Sequence, residues 1–184
     1  MQMVAAGPVG AASEFAALAA QFDDFYEAEY QPLLRLAYVL TGSTTVAEEL
    51  VQETMLRAYR HWSKVSAYDK PGAWGRRVLI NLATSRGRRL TAEARALVRF
   101  RGGHAPVAEP RAENAEVWAA LRKLPARQAQ AMALFYVEDL AIGDIASLLE
   151  CPEGTVKALL HRGRQTLARE LGETSDETEE EAAQ

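Results

Sequence analysis

Apolar residues recur along most of the chain at the three- and four-residue spacing of an amphipathic α-helix, and alternating, strand-like segments are nearly absent. The first periodic segment covers residues 22–40, contains Pro32, and is predicted to end at Thr41 and Gly42. A hydroxyl side chain is expected to cap the second helix, and the candidates are Ser43, Thr44 and Thr45. The buried face of that helix is predicted to hold Val46, Leu50, Val51, Met55, Ala58, Tyr59 and Trp62.

A third helix is predicted to begin near Ala73, after a loop at residues 63–72, and to bury Trp74, Val78, Leu79 and Leu82. The helical pattern fades between residues 92 and 113, where a Gly-Gly pair and two prolines indicate a flexible linker. Periodicity returns near Asn114 and continues to Gly172. It breaks before Pro125, because the residue that precedes a proline disfavours the helical conformation.

These patterns predict an all-α protein of two small helical domains, residues 22–91 and 114–172, joined by a flexible linker at 92–113. Residues 1–21 are expected to form a disordered lead, and residues 173–184 an acidic, disordered tail. No apolar run approaches the roughly 18 residues of a membrane span, so direct membrane insertion is not expected. Cys151 is the only cysteine, which excludes an intrachain disulfide and favours a cytoplasmic protein.

The formal net charge of −4 conceals a segregated distribution of charges. Residues 13–53 carry eight acids and one base, whereas residues 76–101 carry eight arginines and one acid. Residues 154–169 carry four bases and no acid, and residues 173–184 carry six acids and no base. Such blocks predict different partners for different faces of the molecule, and the alternative is that they are solvated helix faces.

Patterns typical of catalysis are missing from the sequence. The three histidines are scattered, no His, Cys, Asp and Glu residues have metal-ligand spacing, and no nucleophile is paired with a base. We therefore expect a protein that is not an enzyme and that needs no cofactor or metal.

Residues 142–161 fit a helix-turn-helix, the unit that places a helix in the major groove of DNA. Ala146 is small enough for the crossing of the two helices, and Pro152 suits the start of the second helix. Glu150 stands in the turn, where glycine is favoured, at an expected cost of about 1 kcal/mol. The inward positions are predicted to be filled by Ile145, Leu149, Cys151, Val156 and Leu159.

Polar and small residues follow on the second helix of this unit. Lys157 and Arg162 can donate to guanine or phosphate, and Thr155 can approach the DNA closely. His161 is either a contact to a base edge or a surface residue with no special role. The predicted DNA-facing set is Thr155, Lys157, Ala158, His161, Arg162 and Arg164.

Four longer segments resemble the extracytoplasmic-function group of sigma-70 factors of bacterial RNA polymerase. DLAIGDIASLLECPEGTVKALLHRGRQTLARELG is similar to region 4.2 of these factors, and ALRKLPARQAQAMALFYVEDLA to region 4.1. LLRLAYVLTGSTTVAEELVQETMLRAYRHW is similar to regions 2.1 and 2.2, and AWGRRVLINLATSRGRR to regions 2.3 and 2.4. The resemblance covers residues 22–171 and is greatest to the actinomycete sigma-E-like branch.

This resemblance implies a promoter-specificity factor that binds core RNA polymerase through the β′ clamp helices and the β flap. The clamp-helix contacts would lie on residues 47–62, and the candidates are Glu48, Glu49, Gln52, Glu53 and Arg57. The −35 element would be read as duplex by region 4. The −10 element would be melted and held by region 2, with one base flipped into the loop at 63–72. Candidate −10 contacts are Tyr68, Arg76, Arg77, Asn81, Arg86, Arg88 and Arg89.

Several positions keep more than one interpretation. Trp62 and Trp74 are expected to pack in the core rather than stack on bases. The linker either threads through a nucleic-acid channel or serves as a plain tether, and the acidic tail is either regulatory or solubilising. An anti-sigma factor is a further partner that the resemblance allows.

The sequence departs from the family at the recognition helix, where Ala158 and Leu159 replace a common Ser-Arg pair. A weaker or altered −35 preference follows as a hypothesis. Two alternative functions remain at this stage: a stand-alone helix-turn-helix regulator that does not recruit polymerase, and a helical scaffold that binds only protein.

Overall fold

In the computed structural model, the described parts of the chain are residues 8–97 and 115–182, with side chains described for residues 16–87 and 116–172. These parts contain eight helices and no strand, which confirms the predicted all-α class. In chain order the helices are α1 (Pro8–Thr41), α2 (Thr44–Arg60), α3 (Trp62–Val65), α4 (Pro71–Leu97), α5 (Ala115–Lys123), α6 (Ala126–Tyr136), α7 (Ile142–Leu149) and α8 (Glu153–Ala182).

The N-terminal half is a bundle in which α1 packs against both α2 and α4, and α2 also contacts α4. Its centre holds Leu33, Leu36, Val51 and Leu79, all fully buried. On the predicted buried face of α2, Leu50, Val51, Met55 and Ala58 are buried and Val46 is half-buried, whereas the Tyr59 side chain is 55% exposed. Tyr59 instead packs its ring edge-on against Phe22 of α1, with 5.2 Å between the ring centroids.

The turn between α1 and α2 follows the predicted chemistry. Gly42 has a φ of 73°, a left-handed conformation that glycine adopts at little cost after the end of a helix. Ser43 is the N-cap of α2, and its hydroxyl accepts a hydrogen bond of 3.3 Å from the backbone N–H of Val46. One of the three candidate caps is thereby identified.

Replacing Ser43 by alanine is expected to lower the free energy of unfolding by about 1 kcal/mol, because an N–H of the first turn of α2 loses its acceptor. Urea denaturation of the purified protein measures this change. Ser43→Asp is the matched control, since aspartate keeps a side-chain acceptor at the N-cap and is preferred there as strongly as serine. Equal stabilities of the two variants would contradict the capping role.

The C-terminal half is built from α5 to α8, with α8 contacting α5, α6 and α7. Leu134, Ile145 and Val156 are fully buried where these helices meet. The chain breaks between α5 and α6 at Leu124 and Pro125, as predicted.

Three predicted non-helical segments are partly wrong. α1 begins at Pro8, α8 extends to Ala182, and α4 extends to Leu97, so residues 8–21, 92–97 and 173–182 are helical. The physical reason is local: alanine and glutamate dominate the first and last of these segments and have high helix propensity. A helix that is already nucleated also propagates easily. Residues 1–7, 98–114 and 183–184 lie outside the described residues.

The two halves pack against each other. α1 contacts α5 and α6, and α4 contacts α7. Arg122 of α5 lies over the end of α1, where a Cβ added to Gly42 would be 2.6 Å from the Arg122 Nε atom. The buried apolar residues of both halves form one cluster that runs from Phe25 to Leu160. The N-terminal and C-terminal halves, which the sequence predicts as two domains, are therefore in direct contact.

Candidate nucleic-acid interface

The helix-turn-helix predicted at residues 142–161 is present as α7, a short turn and α8. Glu150 ends α7 with φ 51° and ψ 52°. This is the left-handed conformation for which glycine is favoured in the turn, and here a non-glycine residue adopts it. The N–H of Cys151 donates to the Ala146 carbonyl at 3.0 Å, which satisfies one free carbonyl at the end of α7. α8 begins at Glu153, directly after Pro152, as predicted.

The apolar side of this unit faces the domain core. Ile145, Leu149 and Val156 are buried, whereas Cys151 and Leu159 are half-buried. Leu160, which the sequence pattern did not select, is 3% exposed and closes the core next to Val156. Gly163 lies on the same side of α8, where an added Cβ would come within 2.9 Å of Met132 Cγ.

The opposite side of α8 is open to solvent. Thr155, Lys157, His161, Arg162 and Arg164 are exposed, and Ala158 is half-buried between them. Arg164 donates a hydrogen bond of 3.2 Å to the hydroxyl of Tyr136, an exposed residue at the end of α6. All six predicted −35 residues therefore lie on one helix, and five of them are exposed.

The predicted −10 residues on α4 differ in their exposure to solvent. Arg77 and Asn81 are exposed one turn apart, and Arg86 is half-buried. Arg86 Nη1 donates to Glu49 Oε2 of α2 at 2.6 Å. Arg88 and Arg89 have side chains outside the described residues. Tyr68 precedes α4 in the loop and is 40% exposed.

Arg76 is the exception, because it lies in an ion triad. Its Nη1 is 2.8 Å from Glu29 Oε2 of α1, and its Nε is 2.7 Å from Glu138 Oε2 in the loop between α6 and α7. The Arg76 side chain is 15% exposed and that of Glu138 only 2%. Sequence reasoning missed Glu29 and Glu138, since nothing in local spacing pairs residues 62 positions apart.

Two further cations on the same edge reach the C-terminal half. Lys70 Nζ is 2.7 Å from Asp144 Oδ1 in the first turn of α7. Arg77 Nη2 donates to the Ser147 carbonyl at 2.7 Å, and its Nη1 is 3.3 Å from Glu150 Oε1.

A cavity of about 820 Å³ lies between the two halves at this edge. The loop at 63–72 and the start of α4 form one wall, and residues of α7 and the loop before it form the other. The side chains of Tyr68 and Trp74 line the first wall, and Leu140, Ser147 and Leu148 line the second. Trp62 is in the core, as expected, whereas Trp74 is half-buried and faces this cavity.

The predicted polymerase-binding face of α2 is a mixed polar surface. Glu48, Glu49, Gln52 and Arg57 are exposed, and Glu53 is half-buried and 2.7 Å from Arg57 Nε. Leu56 and Tyr59 extend this surface with apolar area that is 42% and 55% exposed, respectively. Exposed large apolar side chains on a charged helix are typical of a protein-docking surface.

Among the described residues, no group of three or more His, Cys, Asp or Glu side chains is arranged to hold a metal ion. None of the helices in the described part of the chain is both long and apolar enough to cross a membrane.

An exposed basic helix-turn-helix in one half and a second basic helix in the other define a DNA-binding protein with two candidate surfaces. Sigma-70 region 2 matches residues 25–93, and sigma-70 region 4 matches residues 114–167. The chain belongs to the extracytoplasmic-function group of the sigma-70 family of RNA polymerase sigma factors. The region 2 match decides between this family and a stand-alone helix-turn-helix regulator.

Similar proteins support the same assignment. The ECF RNA polymerase sigma factor SigM of Mycobacterium tuberculosis is 30% identical over 154 residues, which cover 82% of this chain and 77% of SigM. The ECF RNA polymerase sigma factor SigE of Mycolicibacterium smegmatis is 32% identical over 177 residues, which cover 88% of this chain and 65% of SigE. The chain thus spans about two thirds of the SigE relative.

A solved structure shares the fold. The sigma factor RpoE from Bartonella quintana, in complex with the anti-sigma factor NepR, superimposes with a TM-score of 0.69 at 23% identity. The match covers 83% of this chain and 97% of that one.

Proposed function

We propose that this sigma factor binds core RNA polymerase, recognises the −35 and −10 elements of a promoter, and promotes melting of the DNA for transcription initiation. The observation that carries the proposal is the presence of both region matches, each with a solvent-exposed basic helix. It acts without catalytic chemistry of its own, in the cytoplasm, where polymerase and promoter DNA are found.

Region 4 is assigned to the −35 duplex. Lys157, His161 and Arg162 point away from the domain core on α8, the helix that such a unit inserts in the major groove. Lys157 and Arg162 are suited to phosphate or guanine, and Thr155 to close approach. Leu159 stands at the position where an arginine is common and is half-buried, so this surface lacks one long cationic side chain, which supports an altered −35 preference.

Region 2 is assigned to the melted −10 strand. Arg77 and Asn81 lie on the exposed side of α4, and Tyr68 offers an aromatic face in the loop before it. Stacking of bases on aromatic rings, combined with a basic groove, is the general mode of single-strand binding. Arg76, Arg86, Arg88 and Arg89 complete the proposed set of cations.

The exposed face of α2 is assigned to core polymerase. Glu48, Glu49, Gln52, Glu53 and Arg57 provide polar contacts to the clamp helices, and Leu56 and Tyr59 add apolar area. The β flap is the proposed partner of region 4. An anti-sigma factor is a further candidate partner, in line with the anti-sigma complex of the Bartonella quintana protein.

Run-off transcription with purified core polymerase tests the proposal. Promoters selected in vitro with the holoenzyme are expected to direct transcripts from a fixed start, and core polymerase alone is the control. Glu49 and Gln52 changed to alanine should weaken core binding without altering duplex binding by region 4. Absence of promoter-specific transcripts from every selected template would contradict the proposal.

A further inference from the structure

One contact inside region 4 joins the recognition helix to a residue outside the helix-turn-helix. Arg164 of α8 donates from Nη1 to the hydroxyl of Tyr136 at 3.2 Å, and Tyr136 is the last residue of α6. Both residues are exposed, Tyr136 to 52%. Because water can satisfy both groups at an exposed position, this bond adds little to folding stability. The pair is therefore a candidate for a role in binding.

The close approach of α6 and α8 brings the two residues together. Gly163, the neighbour of Arg164, faces α6, where an added Cβ would come within 2.9 Å of Met132 Cγ. The absence of a side chain at this position lets the two helices meet closely. Arg164, one residue further, consequently lies on the edge of α8 that borders the end of α6.

The exposed ring of Tyr136 is held in place by its neighbour. It packs edge-on against Phe135, with 4.9 Å between the ring centroids and 80° between the ring planes. Phe135 is half-buried and packs against the apolar core. The core thus fixes the position from which the Tyr136 hydroxyl meets Arg164.

The place of Arg164 on α8 indicates a contact to the DNA backbone rather than to base edges. Arg164 follows Lys157 by about two helical turns, so both cations lie on the same side of α8. It lies about 16 Å along the axis from the start of α8 at Glu153. The first turns of a recognition helix contact base edges, and the major groove is about 12 Å wide. Arg164 is therefore expected beside a backbone strand that borders the groove.

The pair presents two kinds of hydrogen-bond donor to an anion. The Arg164 guanidinium carries a permanent charge and several N–H donors, of which Tyr136 uses one. Within the described part of the chain, Arg164 is the hydrogen-bond partner of the Tyr136 hydroxyl, which accepts this bond and keeps its own O–H to donate. The non-bridging oxygens of a phosphodiester are charged acceptors and match both kinds of donor.

We propose that Tyr136 and Arg164 form a phosphate site, which binds one backbone phosphate of the −35 duplex where α6 meets α8. Arg164 neutralises the phosphate, and Tyr136 orients the guanidinium and donates its O–H to the same group. The inference deepens the proposed function and rests on it, because it requires that α8 reads the −35 duplex. A phosphate contact carries no sequence information, so this site sets the strength and register of binding rather than the preferred bases.

Titration of a labelled −35 duplex with holoenzyme that contains the full chain, at several salt concentrations, tests the charged half of the site. Arg164→Ala is expected to lower the affinity about tenfold, as for the loss of one hydrogen bond to a charged group. It should also reduce the slope of log K against log salt by about 0.9, the contribution of one phosphate contact.

Tyr136→Phe tests the orienting role, because it removes a hydroxyl and no charge. It is expected to lower the affinity about threefold and to reduce the salt slope in the same direction, since Arg164 is no longer held on the phosphate. The ring stays against Phe135, so the midpoint of urea denaturation should not change. Tyr26→Phe, the same substitution at an exposed position of α1, is the control and should alter neither affinity nor slope.

The double variant and a second duplex show how the two residues act. Tyr136→Phe is expected to cost less affinity in the Arg164→Ala background than alone, because no guanidinium remains to be oriented. The ratio of affinities for the selected −35 duplex and a scrambled one should be unchanged in every variant. Additive losses, an unchanged salt slope in Tyr136→Phe, or a changed ratio would overturn the phosphate site.

Lys157→Ala separates the phosphate site from the proposed function. If Lys157→Ala weakens binding of the −35 duplex while Tyr136→Phe and Arg164→Ala leave it unchanged, the phosphate site is refuted and the assignment of α8 stands. If none of the three substitutions lowers the affinity, the assignment of region 4 to the −35 duplex is refuted together with the phosphate site.

Discussion

Changing Lys157 and Arg162 together to glutamate is expected to lower the affinity of region 4 for a −35 duplex by more than about 100-fold. Both side chains lie on the exposed side of α8, so the change leaves the domain core intact. Each contact to a base or phosphate contributes roughly 1–3 kcal/mol, and about 1.4 kcal/mol corresponds to tenfold in affinity. The loss of two contacts and the gain of two repulsions are therefore expected to lower the affinity by more than about 100-fold. Titration of labelled duplex with the holoenzyme measures this loss.

The salt dependence of binding separates direct contact from a general charge effect. Alanine in place of both Lys157 and Arg162 is expected to reduce the slope of log K against log salt by about 1.8, since each phosphate contact contributes about 0.9. Lys123 provides the matched control: it is exposed in region 4 but lies on α5 and pairs with Glu170. Lys123→Ala should leave the slope unchanged. An equal loss in the control would refute the assignment of α8 as the reading surface.

The sequence was sufficient where structure depends on neighbours in the chain. The end of α1 at Gly42, the cap at Ser43 and the start of α8 after Pro152 are all determined by backbone chemistry over a few residues. The left-handed conformation of Glu150 belongs to the same group, because the turn of a helix-turn-helix imposes it. For that reason the end of α1 and the start of α8 were predicted correctly, and the cap of α2 was narrowed to three candidates, of which Ser43 is the one used.

Surface and long-range features were not predictable in the same way. Tyr59 occupies a helical position that periodicity assigns to the core, but Phe22 holds its ring at the surface. Arg76 and Arg77 are adjacent and were assigned alike, yet a turn of 100° per residue places one in a triad and leaves the other half exposed. The partners of Arg76 depend on how two domains meet, and helical periodicity carries no information about that contact.

Arg76→Ala is expected to lower the free energy of unfolding by about 3–5 kcal/mol, because it leaves Glu138, 2% exposed, and Glu29 without their shared cation. Adding Glu138→Gln to this variant should restore part of the loss, since the uncompensated charge is then removed. Urea denaturation of the single and double variants measures both effects. Arg35→Ala, at an exposed position of α1, is the control and should stay within about 0.5 kcal/mol.

The comparison of single and double variants also decides how promoter assays of this edge are interpreted. If Arg76→Ala were no more destabilising than Arg35→Ala, the triad would contribute nothing to the packing of the two halves. Arg76 would then be a DNA contact only. If the expected loss of unfolding free energy and its partial recovery are observed, weak promoter binding by Arg76→Ala has two causes. One is the lower stability of the variant, and the other is the missing contact to DNA. Arg77, whose partners are exposed, is then the residue whose substitution reports on the −10 strand.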